Sequence, residues 1–210
     1  MKNKKMERRK SSEEYELQEI YDIAYKVHQD KPYDASHDWQ HHQAVYDNGV
    51  EIIRKEGLQT QVDLPVFTAS ALFHDLERGS KGHNLAVERM REAGFSDGFV
   101  KAVVDLINQH SFGDKQDSLA GTILWAADKI EYVSKDRFVY SVGKLPKVKI
   151  MFYKKLWRSR IEAVIKKFPT IGLPSANELF LSKFKDLKVY IESQKPEYKP
   201  WFKNLDLSMI

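Results

Sequence analysis

The stretch Asp63-Leu64-Pro65-Val66-Phe67-Thr68-Ala69-Ser70-Ala71-Leu72-Phe73-His74-Asp75 decides how this chain is read. Its middle, Val66 to Phe73, is an apolar run that reads as a buried helix. Asp63-Leu64-Pro65 opens it, with the proline in the first turn, where a missing N–H costs least. The run ends on two polar, metal-competent side chains, His74 and Asp75. Burying such groups costs free energy unless they are paired or bound to something. His41 and Asp128 are further groups of the same kind, and one divalent ion would satisfy all four at once.

Outward from this segment the chain reads as helix after helix. Ser11-Ser12-Glu13-Glu14 has the spacing of a capping box, and Leu17, Ile20, Tyr21, Ala24 and Tyr25 follow at helical period until Lys31-Pro32. A second helix is predicted over about 36–56, with Val45, Ile52 and Ile53 inward and Gly57 as its C-cap. Gly94-Phe95-Ser96 splits two more, about 83–93 and 96–110, and another covers about 118–134. Two longer helices, about 148–168 and 175–193, fill the last third. The aromatic end, with Tyr198, Trp201 and Phe202, is expected to pack back on the body. No run alternates with period two, so the expected fold is an all-α, single-domain helical bundle.

Composition agrees with that fold. The 210 residues are 42% hydrophobic and 12% aromatic, enough for one globular core. No stretch approaches the roughly 20 apolar residues that span a bilayer, so no membrane partner is expected. Residues 1–10 are basic with no apolar segment behind them, which predicts a disordered tail rather than a signal peptide, with the domain over 11–210. There are no cysteines, which excludes disulfides and thiolate metal sites and makes the cytoplasm the expected location. The net charge of +4 is uneven. Between 141 and 170 stand Lys144, Lys147, Lys149, Lys154, Lys155, Arg158, Arg160, Lys166 and Lys167, against Glu162 alone. That block reads either as a surface for an anionic partner or as a solvated helix face.

Two neutral imidazoles and two carboxylates form a mixed nitrogen and oxygen donor set. It suits Mn, Fe, Co, Ni or Mg as divalent ions, and Zn as well. Four such ligands on an octahedral ion leave two positions, for water and a substrate oxygen. An ion so held lowers the pKa of water and polarises a phosphoryl oxygen, the chemistry of a metal-dependent hydrolase. A second His-Asp doublet, His37-Asp38, competes with His74-Asp75, and His37 and His41 have the spacing of a chelating pair on one helix face. His74-Asp75 is preferred because a buried helix feeds it. His28 falls on an apolar stripe and reads as a packed or surface histidine. His42 points about 100° round the helix from His41, so only one of the two is expected to face the core site.

Taken together, H-D-W-Q-H at 37–41, F-H-D-L at 73–76 and A-A-D-K-I at 126–130 resemble the HD-superfamily metal-dependent phosphohydrolases. The opening segment looks like the H-D-W-x-H-x-x-R-V form of small bacterial members, and Val103 to Phe112 is similar to their I-x-x-H-S-F segment. The likeness covers about residues 20–135 and leaves 140–210 as a C-terminal helical extension. It implies a bundle of the HD-domain type, with His41, His74, Asp75 and Asp128 holding one or two ions. It also implies hydrolysis of a small phosphomonoester or phosphodiester, often of a nucleotide. Asp75 would orient the nucleophile or bridge two ions, and His83 and His110 would bind a second metal or the substrate phosphate. Three positions depart from the pattern: Ala44 stands where Arg is usual, Arg78 follows the doublet where a Gly-Lys pair is common, and Glu131 replaces an Asp. Arg78 is expected to take the phosphate-binding role of that lysine, as a bidentate fork.

Other readings compete. The constellation also fits a polar cluster held by His–Asp hydrogen bonds without metal. An HD-fold protein that senses a nucleotide without turnover is the alternative function. A nucleic-acid surface at 141–170 would use Tyr153 and Trp157 for stacking. With Ile150, Ile161 and Val164, however, those aromatics fit an inward helix stripe, so nucleic acid is the weaker expectation.

Overall fold

In the computed structural model, which describes residues 17–30, 38–76, 84–144, 147–203 and 205, short polar side chains start four of the helices. Asp38, Asp63, Ser96 and Ser118 accept hydrogen bonds from the backbone N–H groups of His41, Val66, Phe99 and Gly121 at 3.1, 3.1, 3.3 and 3.0 Å. Each satisfies a donor that the first turn leaves without an internal partner. The helices that follow are α1 (Leu17–Asp30), α2 (Trp39–Lys55), α3 (Leu64–Phe73), α4 (Asn84–Glu92), α5 (Asp97–Ile107), α6 (Leu119–Glu131), α7 (Lys135–Lys144), α8 (Lys147–Lys167) and α9 (Pro174–Gln194). A 3₁₀ segment, Pro196–Trp201, follows α9. The described residues hold no strand, so the fold is the all-α bundle that periodicity predicts. The Ser11 capping box and the basic tail lie outside the described residues.

Two helices form the centre. Every residue of α3 from Val66 to Phe73 is buried, as is every residue of α6 from Ile123 to Glu131. A helix that is apolar all round needs neighbours on every side. For α3 these are α1, α2, α5 and α6, and α2 packs most closely on α6. Gly49 allows the α2–α3 approach, since a Cβ there would overlap the Phe67 ring. Burying a side chain such as Phe67, Leu72 or Phe73 contributes about 1.5–3 kcal/mol each.

The last third encloses the other side. Trp157, Ile161 and Val164 of α8 are buried, which bears out the inward stripe. Trp157 Nε1 donates to the Tyr132 carbonyl at 2.9 Å, tying α8 to the end of α6. Trp201 and Phe202 pack on Phe138 and Trp157 with ring centroids 5.5 and 5.2 Å apart, so the aromatic tail does fold back.

One helix, α7, departs from the sequence reading, which ends a helix at about 134 and predicts none before 148. The chain leaves α6 at Glu131, turns through Tyr132 and Val133, and restarts as α7. Ser134 makes the break: its hydroxyl donates to Glu131 Oε2 at 3.1 Å and accepts from Arg137 N at 3.2 Å.

Candidate metal centre

The ends of several helices converge on one buried cluster. His41 lies in the first turn of α2, next to the Asp38 cap. His74 is the C-cap of α3 and has no exposed surface, and Asp75 follows it. Asp128 lies near the end of α6, and His110 just beyond α5. His41 Nε2 stands 3.1 Å from His74 Nε2. Asp128 Oδ1 is 3.6 Å from the first of these nitrogens and 3.8 Å from the second. Asp75 Oδ2 is 3.7 Å from His74 Nε2, and its Oδ1 is 3.3 Å from His110 Nε2.

Neighbouring groups orient these donors. A carbonyl only accepts, so the 2.8 Å contact of His74 Nδ1 with Ala71 O places the proton on Nδ1. In the neutral ring the Nε2 lone pair then points into the cluster. His110 Nδ1 contacts Ile107 O in the same way. Lys129 pairs with Asp128 Oδ2, which leaves Oδ1 facing the imidazoles. Such outer partners set the direction of metal ligands.

The cluster polarises its members unequally. Burial, and after it the charge of Arg137, hold the His41 imidazole well below its usual pKa, so it stays neutral. Burial works to raise the Asp128 carboxyl, but Lys129 and the imidazoles of His74 and His41 outweigh it. Asp75 is likewise lifted by burial and more than restored by His74 and His110, ending well below the carboxylate range. For His110, burial lowers the pKa, and the Asp75 carboxylate reverses this and raises it.

The donor set fits a divalent ion. Adjacent ligands at right angles on bonds of about 2.1 Å lie about 3.0 Å apart, close to the spacing of the two Nε2 atoms. His41, His74 and Asp75 form one group able to hold an ion, and His74, His110 and Asp128 another, with ligand atoms in each group within 4.8 Å of one another.

The structure therefore brings together His41, His74, Asp75, Asp128 and His110. Arg78 and His83, expected at the phosphate, lie outside the described residues, as does His37. His28 is a packed histidine whose Nε2 donates to Leu72 O at 2.9 Å. Of the adjacent pair, His41 joins the donor groups and His42 does not, as helical phase predicts, although both are buried. His42 packs on His74 and His28 with ring centroids 4.8 and 4.3 Å away. Helices surround α2 on more than one side, so residues a hundred degrees apart can both lie inside.

Beside His41 opens a cavity of about 340 Å³. Its walls include Ala44 of α2, Arg137 and Tyr140 of α7, and Lys183 of α9. Lys183 donates to Asn48 Oδ1 and Glu131 Oε1 at 2.8 and 2.9 Å. Asn48 in turn donates to Glu131 Oε1 and to the Ala127 carbonyl, each at 3.1 Å. The C-terminal helices thus build one wall of the site. Sequence reasoning missed Lys129, Arg137 and Lys183. Lys129 was legible as the neighbour of Asp128, whereas no spacing connects Lys183 to Glu131, 52 residues away.

The fold and site define an all-α bundle with a buried histidine–aspartate cluster able to hold a metal ion. No family model matches the chain, and no curated protein does. Among solved structures, a structural genomics target from Lactobacillus plantarum is similar, with a TM-score of 0.60 at 17% identity. The match covers 89% of this chain and 99% of that one, and at this identity it shows a shared fold alone.

Proposed function

We propose that this chain is a metal-dependent phosphohydrolase of the HD type, acting on a small phosphomonoester or phosphodiester such as a nucleotide. The observation that carries the reading is the convergence of His41 Nε2, His74 Nε2 and Asp128 Oδ1, from three separate helices, within 3.1–3.8 Å. These are the residues, in chain order, that the resemblance names as ligands. A cavity of about 340 Å³ with His41 in its wall is the size of a small-molecule site.

His41, His74, Asp75 and Asp128 would hold the ion. A bound divalent ion supplies a Lewis acid for a phosphoryl oxygen and activates water at neutral pH. The chain supplies orientation and proton control. Lys129 directs the Asp128 carboxylate. His110 Nε2 faces Asp75 Oδ1 at 3.3 Å and can hold a proton there. The side chain of Asp75 is 29% exposed, which makes it the ligand through which solvent or substrate meets the cluster. Arg78 and His83 keep their proposed roles at the phosphate.

The test is hydrolysis of a panel of phosphomonoesters, nucleotides and phosphodiesters by protein loaded with Mn²⁺, Ni²⁺, Co²⁺ or Mg²⁺, with Asp75→Ala in parallel. Metal-dependent turnover that disappears in the variant supports the reading. Full activity in Asp75→Ala would overturn the site. Tight nucleotide binding without turnover on any metal would assign a sensing role instead.

A further inference from the structure

The cavity beside His41 contains a cation without a partner among the described residues. Arg137 is half-buried on α7, and its Nη1 is closed off from solvent with no hydrogen-bond partner among the described residues. Nor does any carboxylate of those residues stand within ion-pair distance of its guanidinium. Yet Asp38, Glu131 and Asp136 line the same cavity. Asp38 is engaged by the first turn of α2. Glu131 is occupied by Asn48, Ser134 and Lys183. Asp136 is exposed in the first turn of α7. A guanidinium nitrogen shielded from water and unpaired is costly to maintain. Its natural complement is an anion that enters the cavity.

We propose that Arg137 is a phosphate-binding residue of this cavity, gripping the phosphoryl oxygens of a small phosphate ester beside His41. A guanidinium presents parallel N–H donors that match two phosphoryl oxygens, which an ammonium cannot do. Lys183 is committed to Glu131 and Asn48, so it braces the wall while Arg137 meets the ligand. Arg137 and His41 line the same cavity, so an anion held by the guanidinium lies beside a metal ligand. The helix that carries Arg137 begins just after Ser134, whose hydroxyl accepts from Arg137 N. The ester as ligand rests on the phosphohydrolase reading; the anion site itself does not.

The experiment is calorimetric titration of the metal-free full chain with inorganic phosphate, comparing Arg137→Gln, Arg137→Lys and Lys155→Gln. Lys155 is exposed on α8 and removes the same charge away from the cavity. Affinity is expected to fall on the order of tenfold or more in Arg137→Gln, less in Arg137→Lys, and not at all in Lys155→Gln. Equal weakening by Lys155→Gln, or no phosphate binding by the wild-type chain, would overturn the proposal. If Arg137→Gln fails to fold, Arg137→Lys decides: unchanged affinity there removes the bidentate grip. With an ester substrate, Arg137→Gln should raise KM more than it lowers kcat. Turnover with unchanged KM and phosphate affinity overturns the subsite and leaves the hydrolase. Phosphate binding that needs Arg137, with no ester cleaved, does the reverse.

Discussion

His41 Nε2 and His74 Nε2 face each other at 3.1 Å, although the residues are 33 apart in the chain and lie on different helices. With Nδ1 of His74 donating to Ala71 O, one imidazole lone pair is fixed toward the other ring. Divalent metal loading of His74→Ala should fall by more than about 100-fold, beyond the loss typical of an outer-shell change. Titration with Mn²⁺, Co²⁺ or Zn²⁺, with helix content followed by circular dichroism, checks this. Wild-type loading in the variant would remove His74 from the ligand set.

Lys129 acts on the centre in two opposite ways. Its pairing with Asp128 Oδ2 aims the other oxygen at the imidazoles, while its positive charge repels a cation. We expect orientation to dominate, so Lys129→Met should lose about 10–100-fold in metal affinity. Tighter binding in that variant would show that charge repulsion wins.

The Asn48–Glu131–Lys183 network links α2, α6 and α9 behind the cavity. In Asn48→Ala, the Ala127 carbonyl, Glu131 and Lys183 each lose a partner. Destabilisation of about 1–3 kcal/mol is expected, read as a lower midpoint in urea with an unchanged slope. A shift smaller than a few tenths would mean that the remaining Lys183–Glu131 pair suffices.

His28 contributes a pH dependence with a definite sign. Burial lowers its pKa from 6.5, and the hydrogen bond to Leu72 O offsets this only in part. The unfolded chain therefore takes up the proton more readily than the folded one. The stabilisation is intact above 6.5 and is lost as pH falls through that value toward the lower folded pKa. In metal-free protein, His28→Gln should flatten the fall in Tm as pH drops below 6.5. An identical pH profile in the variant would refute this.

Much of the fold was legible because local patterns agreed with their packing. Asp63 and Pro65 announced α3, and Ser96 and Ser118 stood where helices begin. The uninterrupted apolar run of Val66 to Phe73 required neighbours on every side and has them. The helix α7 was not predicted, because its apolar face is short, with Phe138 and Val142 buried. That His42 is buried as well was not legible, because helical phase alone does not say how many sides of a helix are covered.

The residue types at positions 41, 74, 75 and 128 already implied a shared hydrophilic centre, since polar groups at the ends of apolar helices need a partner. The chain alone thus determined a helical bundle and named the donors. Only the tertiary structure decided that Lys129 aims Asp128, that His110 reaches Asp75, and that α7 and α9 carry Arg137 and Lys183 to the cavity beside His41. Those relations depend on helix crossings and on side chains remote in sequence. They arise from the shape of the packed core, which no local spacing encodes.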